Sequence, residues 1–500
     1  MKRYDFLVIG SGKGGKTLAM KLAGDGASVG LIERKWIGGS CINLACIPTK
    51  TLVKTAKVAH LFRNARSYGV AFEGRDGAID GAIEGALPGA GKVAGAGKVA
   101  GAGKVEGIQG EDGLDMRAVL ERKRSVVEQM VERNKSGFAR SGVDLLIGQG
   151  RFVGEERVLV DFGVGGAGDG RVGEEVFSAD RIVINTGASP VIPEVPGLGR
   201  SGALTNETLL ELDRLPEHLI VLGGGYIGVE FAQVFRRLGS RVTLIDRNER
   251  FLPKEDLDIS DSLLEVFHDE GIEVILGATV ERVEGRSGEE VQVELATAKG
   301  QRPVAGSDLL VALGRRPNTQ ELDCQVAKVK IGQRGEIEVD ERLQTSNPRV
   351  WGVGDVTGGL QFTHVSWDDY RVLYSNLKGG NRTTKGRLVP YTLFTDPELG
   401  RVGLTEDQAR GMGKQVRIAK MPASAIPRAM TSGETRGLLK AVIDQQTDEI
   451  LGVSILCAEA GEILATIQVA MLSGMKAGVL RDVIFSHPTM AEAINDWLYR

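Results

Sequence analysis

The chain has 500 residues, a formal net charge of −4 and 26% charged residues. That balance excludes a basic nucleic-acid surface, and no apolar run reaches the roughly 18 residues of a membrane span. Four cysteines (Cys41, Cys46, Cys324 and Cys457) are too few for a disulfide scaffold and fit a reducing cytoplasm with one close, reactive pair.

A basic start leads into an apolar run that stops at Gly10. It is too short for a signal peptide's apolar region, so residues 6–9 are expected to form a buried parallel strand. Gly10, Gly12 and Gly15 follow, then helical spacing at 16–23 and a second strand at 28–32 that ends on Glu33. This is the order of a dinucleotide-binding unit. The glycines let the backbone approach a pyrophosphate, the helix N-terminus faces that anion, and the acid accepts from a ribose.

Cys41 and Cys46 come next, in Gly-Gly-Ser-Cys41-Ile-Asn-Leu-Ala-Cys46-Ile-Pro-Thr-Lys50. Two sulfurs at this separation can close a small, strained and reducible ring. A helix start here lowers thiol pKa and makes a thiolate available at neutral pH. The plainer alternative is a pair of buried thiols that never join. Cys324 and Cys457 read as inert core thiols.

Residues 89–106 repeat Gly-Ala-Gly-Lys-Val three times. Such residues bury little apolar surface, and a flexible insert is expected over 85–110. No phosphate loop is present, because Val rather than Ser or Thr follows each lysine. Helical spacing resumes at 116–133, and glycines at 163–173 suggest a hairpin tip. A strand at 181–184 ends in Asn185-Thr186-Gly187-Ala188.

The first device then recurs. A strand at 219–222, Gly223-Gly224-Gly225-Tyr-Ile-Gly228, a helix at 229–238 and a strand at 241–245 end on Asp246. One glycine turn is a weak signal, but two complete copies point to two nucleotide sites. Strands at 309–313 and 350–353 lead into Gly314-Arg-Arg-Pro317-Asn318 and Gly354-Asp355. From about residue 388 strands alternate with amphipathic helices without a nucleotide motif, as in a separate α+β domain.

These motifs, with His487-Pro488-Thr489-Met-Ala-Glu492 near the end, resemble the flavin-dependent pyridine nucleotide–disulfide oxidoreductases of the glutathione reductase, dihydrolipoamide dehydrogenase and mercuric reductase group. The resemblance covers the chain outside residues 89–106. Gly14-Gly15-Lys16-Thr-Leu-Ala, Gly358-Gly-Leu-Gln-Phe-Thr363, Asp368-Asp369-Tyr370-Arg371 and Ala425-Ile-Pro-Arg428-Ala look closer still to the reactive-chlorine-resistance reductases, a bacterial branch linked to copper(II) and oxidant handling.

The resemblance implies an α/β fold with two Rossmann-like domains and a C-terminal α+β dimerisation domain. Its expected limits are 1–190 and 317–387 for FAD, 191–316 for NAD(P), and 388–500 for dimerisation. Gly10, Gly12, Gly15 and Glu33 would hold the adenosine side of FAD; Lys50, Thr186, Gly187 and Asp355 would line its flavin side. Gly223, Gly225, Gly228, Glu230, Asp246 and Gly314 would serve the nicotinamide coenzyme. Asp246 favours NADH over NADPH, although Arg247 beside it is able to meet a 2′-phosphate. Cys46 would face the flavin and Cys41 the substrate. His487, oriented by Glu492, would exchange protons with Cys41 of the opposite subunit of a homodimer, giving composite active sites. His364 lies in a segment like the family's flavin-lining loop.

The expected activity is a cytoplasmic FAD-dependent reductase passing electrons from NAD(P)H through Cys41–Cys46 to an oxidised thiol, another oxidant or a metal-ion substrate. No resident metal, nucleic acid or membrane partner is expected. The alternatives are a dihydrolipoamide dehydrogenase, a mercuric reductase-like enzyme (although the metal-relay Cys-Cys near the C-terminus is missing), and a flavoprotein scaffold whose thiols are idle.

Overall fold

A computed structural model describes residues 1–70, 114–164 and 170–500. The expected insert at 85–110 and the middle of the 163–173 turn lie outside the described residues.

The first sheet grows around Lys2–Ile9; Phe6 and Val8 pack with Leu18, Ala19 and Leu22 of helix Lys13–Gly24 on one face, and Tyr4, Leu7 and Ile9 with Phe152, Val158 and Phe177 on the other. Val29–Glu33 and Glu174–Ile184 flank it in parallel. Asp144–Ile147 extends one edge. On the other side, Arg157–Asp161 and Gln149–Gly154 add an antiparallel ribbon, and Val350–Gly352 pairs parallel with Ile182–Ile184. The strand predicted at 181–184 therefore begins much earlier, at Glu174. Its first half, 174–179, pairs with the ribbon; Glu174 and Glu175 are exposed there and Phe177, Ser178 and Ala179 are buried.

The second sheet is fully parallel. His218–Leu222 lies between Arg241–Ile245 and Asp308–Val311, with Glu273–Ile275 at the far edge. Every residue of His218–Leu222 is buried, as covering on both faces demands. A three-stranded antiparallel sheet, Thr279–Gly285, Val291–Thr297 and Gly300–Gly306, attaches to this unit.

The C-terminal part is a five-stranded antiparallel sheet running from Tyr391–Leu393 through Glu398–Gly403, Ile450–Cys457 and Leu438–Asp444 to Val416–Pro422. Helices Ala460–Leu472 and Ala493–Tyr499 pack on it. Trp497 is wholly buried there and donates its indole N–H to the Ala419 carbonyl at 3.0 Å.

Helix Met116–Ser141 outruns the predicted 116–133. Asp115 caps its start by accepting from the N–H groups of Arg117 and Ala118, and Gly142 stops it in the left-handed region. Its second half is polar and is held by the buried Phe138 rather than by an apolar stripe. Helix Cys46–Arg63 packs against helix Tyr226–Leu238 of the second unit. Leu52, Ala56, Phe231, Phe235 and Leu238 share one core cluster, and each large side chain so buried contributes roughly 1.5–3 kcal/mol. This junction fixes the cysteine helix against both dinucleotide units.

Candidate active site

The first glycine turn is defined by what a side chain there would strike. Gly10 has φ +101° and abuts the Asn185 carbonyl. A Cβ on Gly12 would lie 2.8 Å from Asn185 Oδ1, and one on Gly15 2.5 Å from the Gly10 carbonyl oxygen. Asn185 staples the turn: its Oδ1 accepts from Gly15 N–H at 2.9 Å and its Nδ2 donates to the Val353 carbonyl at 2.8 Å. Helix Lys13–Gly24 begins on Gly12 without a side-chain cap from that residue; Gly14 N–H donates to Ser366 Oγ at 3.2 Å and Gly15 N–H to Asn185, so the N–H groups of Gly12 and Lys13 are those that would face an anion. Glu33 is buried at this turn. It accepts from Ser11 N–H at 2.9 Å and Ser11 Oγ at 2.7 Å, and from the N–H groups of Lys35 and Trp36.

The second turn repeats this construction. Gly223 has φ +108°, and a Cβ there would lie 2.6 Å from the Ala312 carbonyl oxygen. Gly228 sits directly on the Gly223 carbonyl, whereas the space around Gly225 is open. Helix Tyr226–Leu238 starts on Gly225, again without a side-chain cap. Asp246 accepts from Gly224 N–H and from the backbone and side-chain nitrogens of Asn248. Arg247 is exposed and has no ion-pair partner among the described residues. Both cradles thus fit a dinucleotide pyrophosphate.

Around the place expected for the flavin, Thr186 Oγ1 donates to the Asn318 carbonyl at 2.8 Å and the Asn318 amide returns a bond to the Thr186 carbonyl. Gly187 and Gly314 both have positive φ with no neighbour where a Cβ would stand. Burial pushes the Asp355 carboxyl up, against the pull of Arg315 at 3.9 Å.

Cys41 lies in the short helix Ser40–Asn43, and Cys46 is the first residue of Cys46–Arg63. Both are free thiols in this structure. A hydrogen bond from Cys41 brings the Cys46 thiol down to about 6 despite its burial, with help from Thr363 and Lys50. The same bond, with burial, pushes Cys41 up. Thr363 Oγ1 stands 3.4 Å from Cys46 Sγ, at the start of helix Thr363–Leu377. A thiol at a helix N-terminus also gains from the partial positive charge there. Lys50 donates to the buried Glu230 at 2.7 Å, and Glu230 also accepts from Phe394 N–H at 2.9 Å. That pair joins the cysteine helix to the second glycine-turn helix.

Cys324 and Cys457 are buried, and burial raises both thiols, Cys324 to about 11. His364 stacks on Phe362 beside Thr363 and is tied to the Pro390 carbonyl at 2.7 Å. His487 Nδ1 meets Glu492 Oε2 at 2.8 Å, and the His487 side chain is 71% exposed. Within one chain no hydrogen bond joins this dyad to either cysteine among the described residues. Thr363, Asn185 and Lys16 are contributors that spacing did not single out as site residues. Their partners lie more than a hundred positions away.

A helix start that favours a thiolate, set between two turns shaped for dinucleotide phosphates, equips a protein to move electron pairs between a nucleotide and a disulfide. The chain belongs to the pyridine nucleotide-disulphide oxidoreductase family: that family's model matches residues 4–369, and its dimerisation domain matches 389–497. It is similar to the probable pyridine nucleotide-disulfide oxidoreductase RclA of Escherichia coli K12, with 38% identity over 99% of each chain. It is 36% identical to a mercuric reductase of Lysinibacillus sphaericus over 98% of this chain and 81% of that one. A dihydrolipoyl dehydrogenase of Thermus scotoductus is 31% identical, over 99% and 96%. Among solved structures, the Cu(II) complex of the HOCl-induced flavoprotein disulfide reductase RclA from Escherichia coli superposes with a TM-score of 0.83. It is 36% identical and covers 100% of this chain and 99% of that one.

The protein is therefore an NAD(P)H-dependent flavoprotein disulfide reductase with the fold expected, and FAD and NAD(P)H come with the family. Among the described residues, no helix is long and apolar enough to cross a membrane.

Proposed function

We propose that the protein is a cytoplasmic homodimer that takes electrons preferentially from NADH and delivers them through Cys41–Cys46 to an oxidised thiol, another oxidant or a metal-ion substrate. On this reading residues 1–190 and 317–387 bind FAD, 191–316 bind NADH and 388–500 form the dimer contact. Bound FAD supplies the two-electron relay between the coenzyme and the cysteine pair.

The chain's own groups do the rest. Gly10, Gly12 and Gly15, with Glu33, hold the adenosine side of FAD; Lys50, Thr186, Gly187 and Asp355 line its flavin side. Gly223, Gly225, Gly228, Glu230 and Gly314 hold the nicotinamide coenzyme. Asp246 accepts from its ribose and repels a 2′-phosphate. Cys46, the lower-pKa thiol, carries the resting thiolate. Cys41 is the outer thiol that meets substrate. His487 of the second subunit, held in one tautomer by Glu492, accepts a proton when Cys41 attacks and returns it when product leaves.

The observation that carries this reading is the position of Cys46 at a helix N-terminus, with Thr363 Oγ1 3.4 Å from its sulfur and Cys41 and Lys50 acting to lower its pKa. The solved relative is described as HOCl-induced and was obtained as a Cu(II) complex, so copper(II) and oxidised small thiols are the first acceptors to test. Steady-state assays with NADH and NADPH should span copper(II), mercury(II), lipoamide, glutathione disulfide and hypohalous or hypothiocyanous oxidants. NADH should give the higher kcat/KM. A strong preference for NADPH would show that Arg247 outweighs Asp246.

A further inference from the structure

The two thiols have unequal surroundings. Lys50, next to Cys46, is neutralised by Glu230 at 2.7 Å. Lys16 is different. It follows the last glycine of the first turn, its side chain is buried, and its ammonium donates to the neutral amide Asn134 Oδ1 at 2.7 Å. No carboxylate pairs with it among the described residues. A buried ammonium without an anion is costly, and such a group is stabilised by any anion brought beside it.

The fold brings the loop that carries Cys41 to that amide. Asn134 sits on helix Met116–Ser141, and its Nδ2 is used on the Met130 carbonyl at 2.6 Å, which aims Oδ1 at Lys16. The loop that delivers Cys41 is pressed onto the same place. A Cβ on Gly38 would lie 3.2 Å from Asn134 Nδ2, and one on Gly39 2.6 Å from Gly12 Cα. The groups acting on Cys41 are Cys46, the Thr363 hydroxyl and Lys16; those acting on Lys16 are Lys13 and Cys41. Burial and Lys13 bring Lys16 down to about 8, so it still carries its proton at neutral pH, while charge on Cys41 acts in the opposite sense.

We propose that Lys16 is the cationic partner of the Cys41 thiolate, a positioning residue that stabilises charge on the outer sulfur once Cys46 no longer carries it. The proposal rests on the reading of Cys41 as the substrate-facing thiol. Each sulfur then has its own lysine: Lys50 is permanently paired, and Lys16 is available when Cys41 ionises. The pyrophosphate at the adjoining turn is the competing anion, and the test separates the two.

The experiment uses the FAD-loaded Cys46→Ser enzyme, in which Cys41 is the remaining thiol of the pair. Iodoacetamide is applied across a pH series and labelling of Cys41 is read by mass spectrometry. The Cys41 thiolate forms an S–C bond and the C–I electron pair leaves with iodide, so the rate follows the thiolate fraction. Adding Lys16→Met should move the midpoint up by about one unit and slow labelling about tenfold at neutral pH. Lys16→Arg should keep the midpoint near that of its parent. Asn134→Asp gives Lys16 a private anion without removing the lysine, and should move the midpoint in the same direction as Lys16→Met. Flavin absorbance per chain is recorded on the same samples. An unchanged Cys41 midpoint in both Lys16→Met and Asn134→Asp overturns the proposal. Loss of flavin with that midpoint unchanged assigns Lys16 to the pyrophosphate instead and overturns it equally. Failure of Cys41 as the outer thiol reads out separately, as acceptor reduction that survives Cys41→Ser in the otherwise native enzyme.

Discussion

Replacing Thr363 with valine tests how the inner thiolate is held. The hydroxyl lies 3.4 Å from Cys46 Sγ, and valine keeps the branched shape while removing the donor. A hydrogen bond to an ionised group contributes about 1.5–3 kcal/mol, and one pKa unit corresponds to about 1.4 kcal/mol. A contact of this length to sulfur belongs at the low end, so the loss is about one unit. Cys46 should rise from about 6 to about 7. It remains below an ordinary thiol because Cys41, Lys50 and the helix N-terminus are untouched. The sign is fixed: a thiol is charged above its pKa, so between the two midpoints the variant holds less thiolate. Ultraviolet thiolate absorbance of the reduced enzyme, titrated with pH, reads the shift, and Thr363→Ser should return it toward the parent. An unchanged midpoint in Thr363→Val would refute the role given to the hydroxyl.

His487→Gln should slow acceptor reduction by roughly 10²–10⁴-fold, the usual worth of a positioned acid–base group, while transfer from NADH to FAD stays near normal in stopped flow. Mixing His487→Gln with Cys41→Ser subunits should restore activity, because one of the two composite sites is then intact; heterodimers that form yet stay inactive would contradict a shared site. In the C-terminal part, the buried ammonium of Lys440 is shared by Asp256 at 3.0 Å, Asp258 at 3.1 Å and Glu406 at 2.9 Å. Lys440→Met should cost about 3–5 kcal/mol in urea unfolding at neutral pH, because it strands the buried Asp256 carboxylate and strips one partner from Asp258 and Glu406. Burial alone would raise Asp258 and Glu406, but lysine and arginine partners hold both below their usual range. Their contribution is therefore present above the unfolded pKa and lost on acidification, so the gap between variant and parent should narrow at low pH. A constant gap would contradict this account.

The features legible in the sequence are those that one short segment decides. Gly10 and Gly223 sit at positive φ against a carbonyl, which only glycine tolerates, and each is followed by its helix and acid. The cysteine pair announced itself by adjacency to the first turn. Asn185, Thr363 and Lys16 escaped because each acts on a partner distant in the chain, Gly15, Cys46 and Asn134. No periodicity encodes such contacts. The first half of Glu174–Ile184 escaped for a related reason, since its pairing with the antiparallel ribbon and with Lys2–Tyr4 is what makes it a strand. His487 and Glu492 came from family resemblance. The structure brings the two together, and their place beside a second subunit's Cys41 remains a proposal about the dimer.

The central claim is that Cys41 and Cys46 form the redox centre, with the resting thiolate on Cys46 beside the flavin. The most direct measurement is the visible spectrum of the FAD-loaded enzyme during anaerobic titration. Reduction of the pair should raise a long-wavelength thiolate-to-flavin charge-transfer band, visible in Cys41→Ser without any reductant and lost in Cys46→Ser. A wild-type enzyme whose two thiols are freed with no such band at any point of the titration would contradict the account.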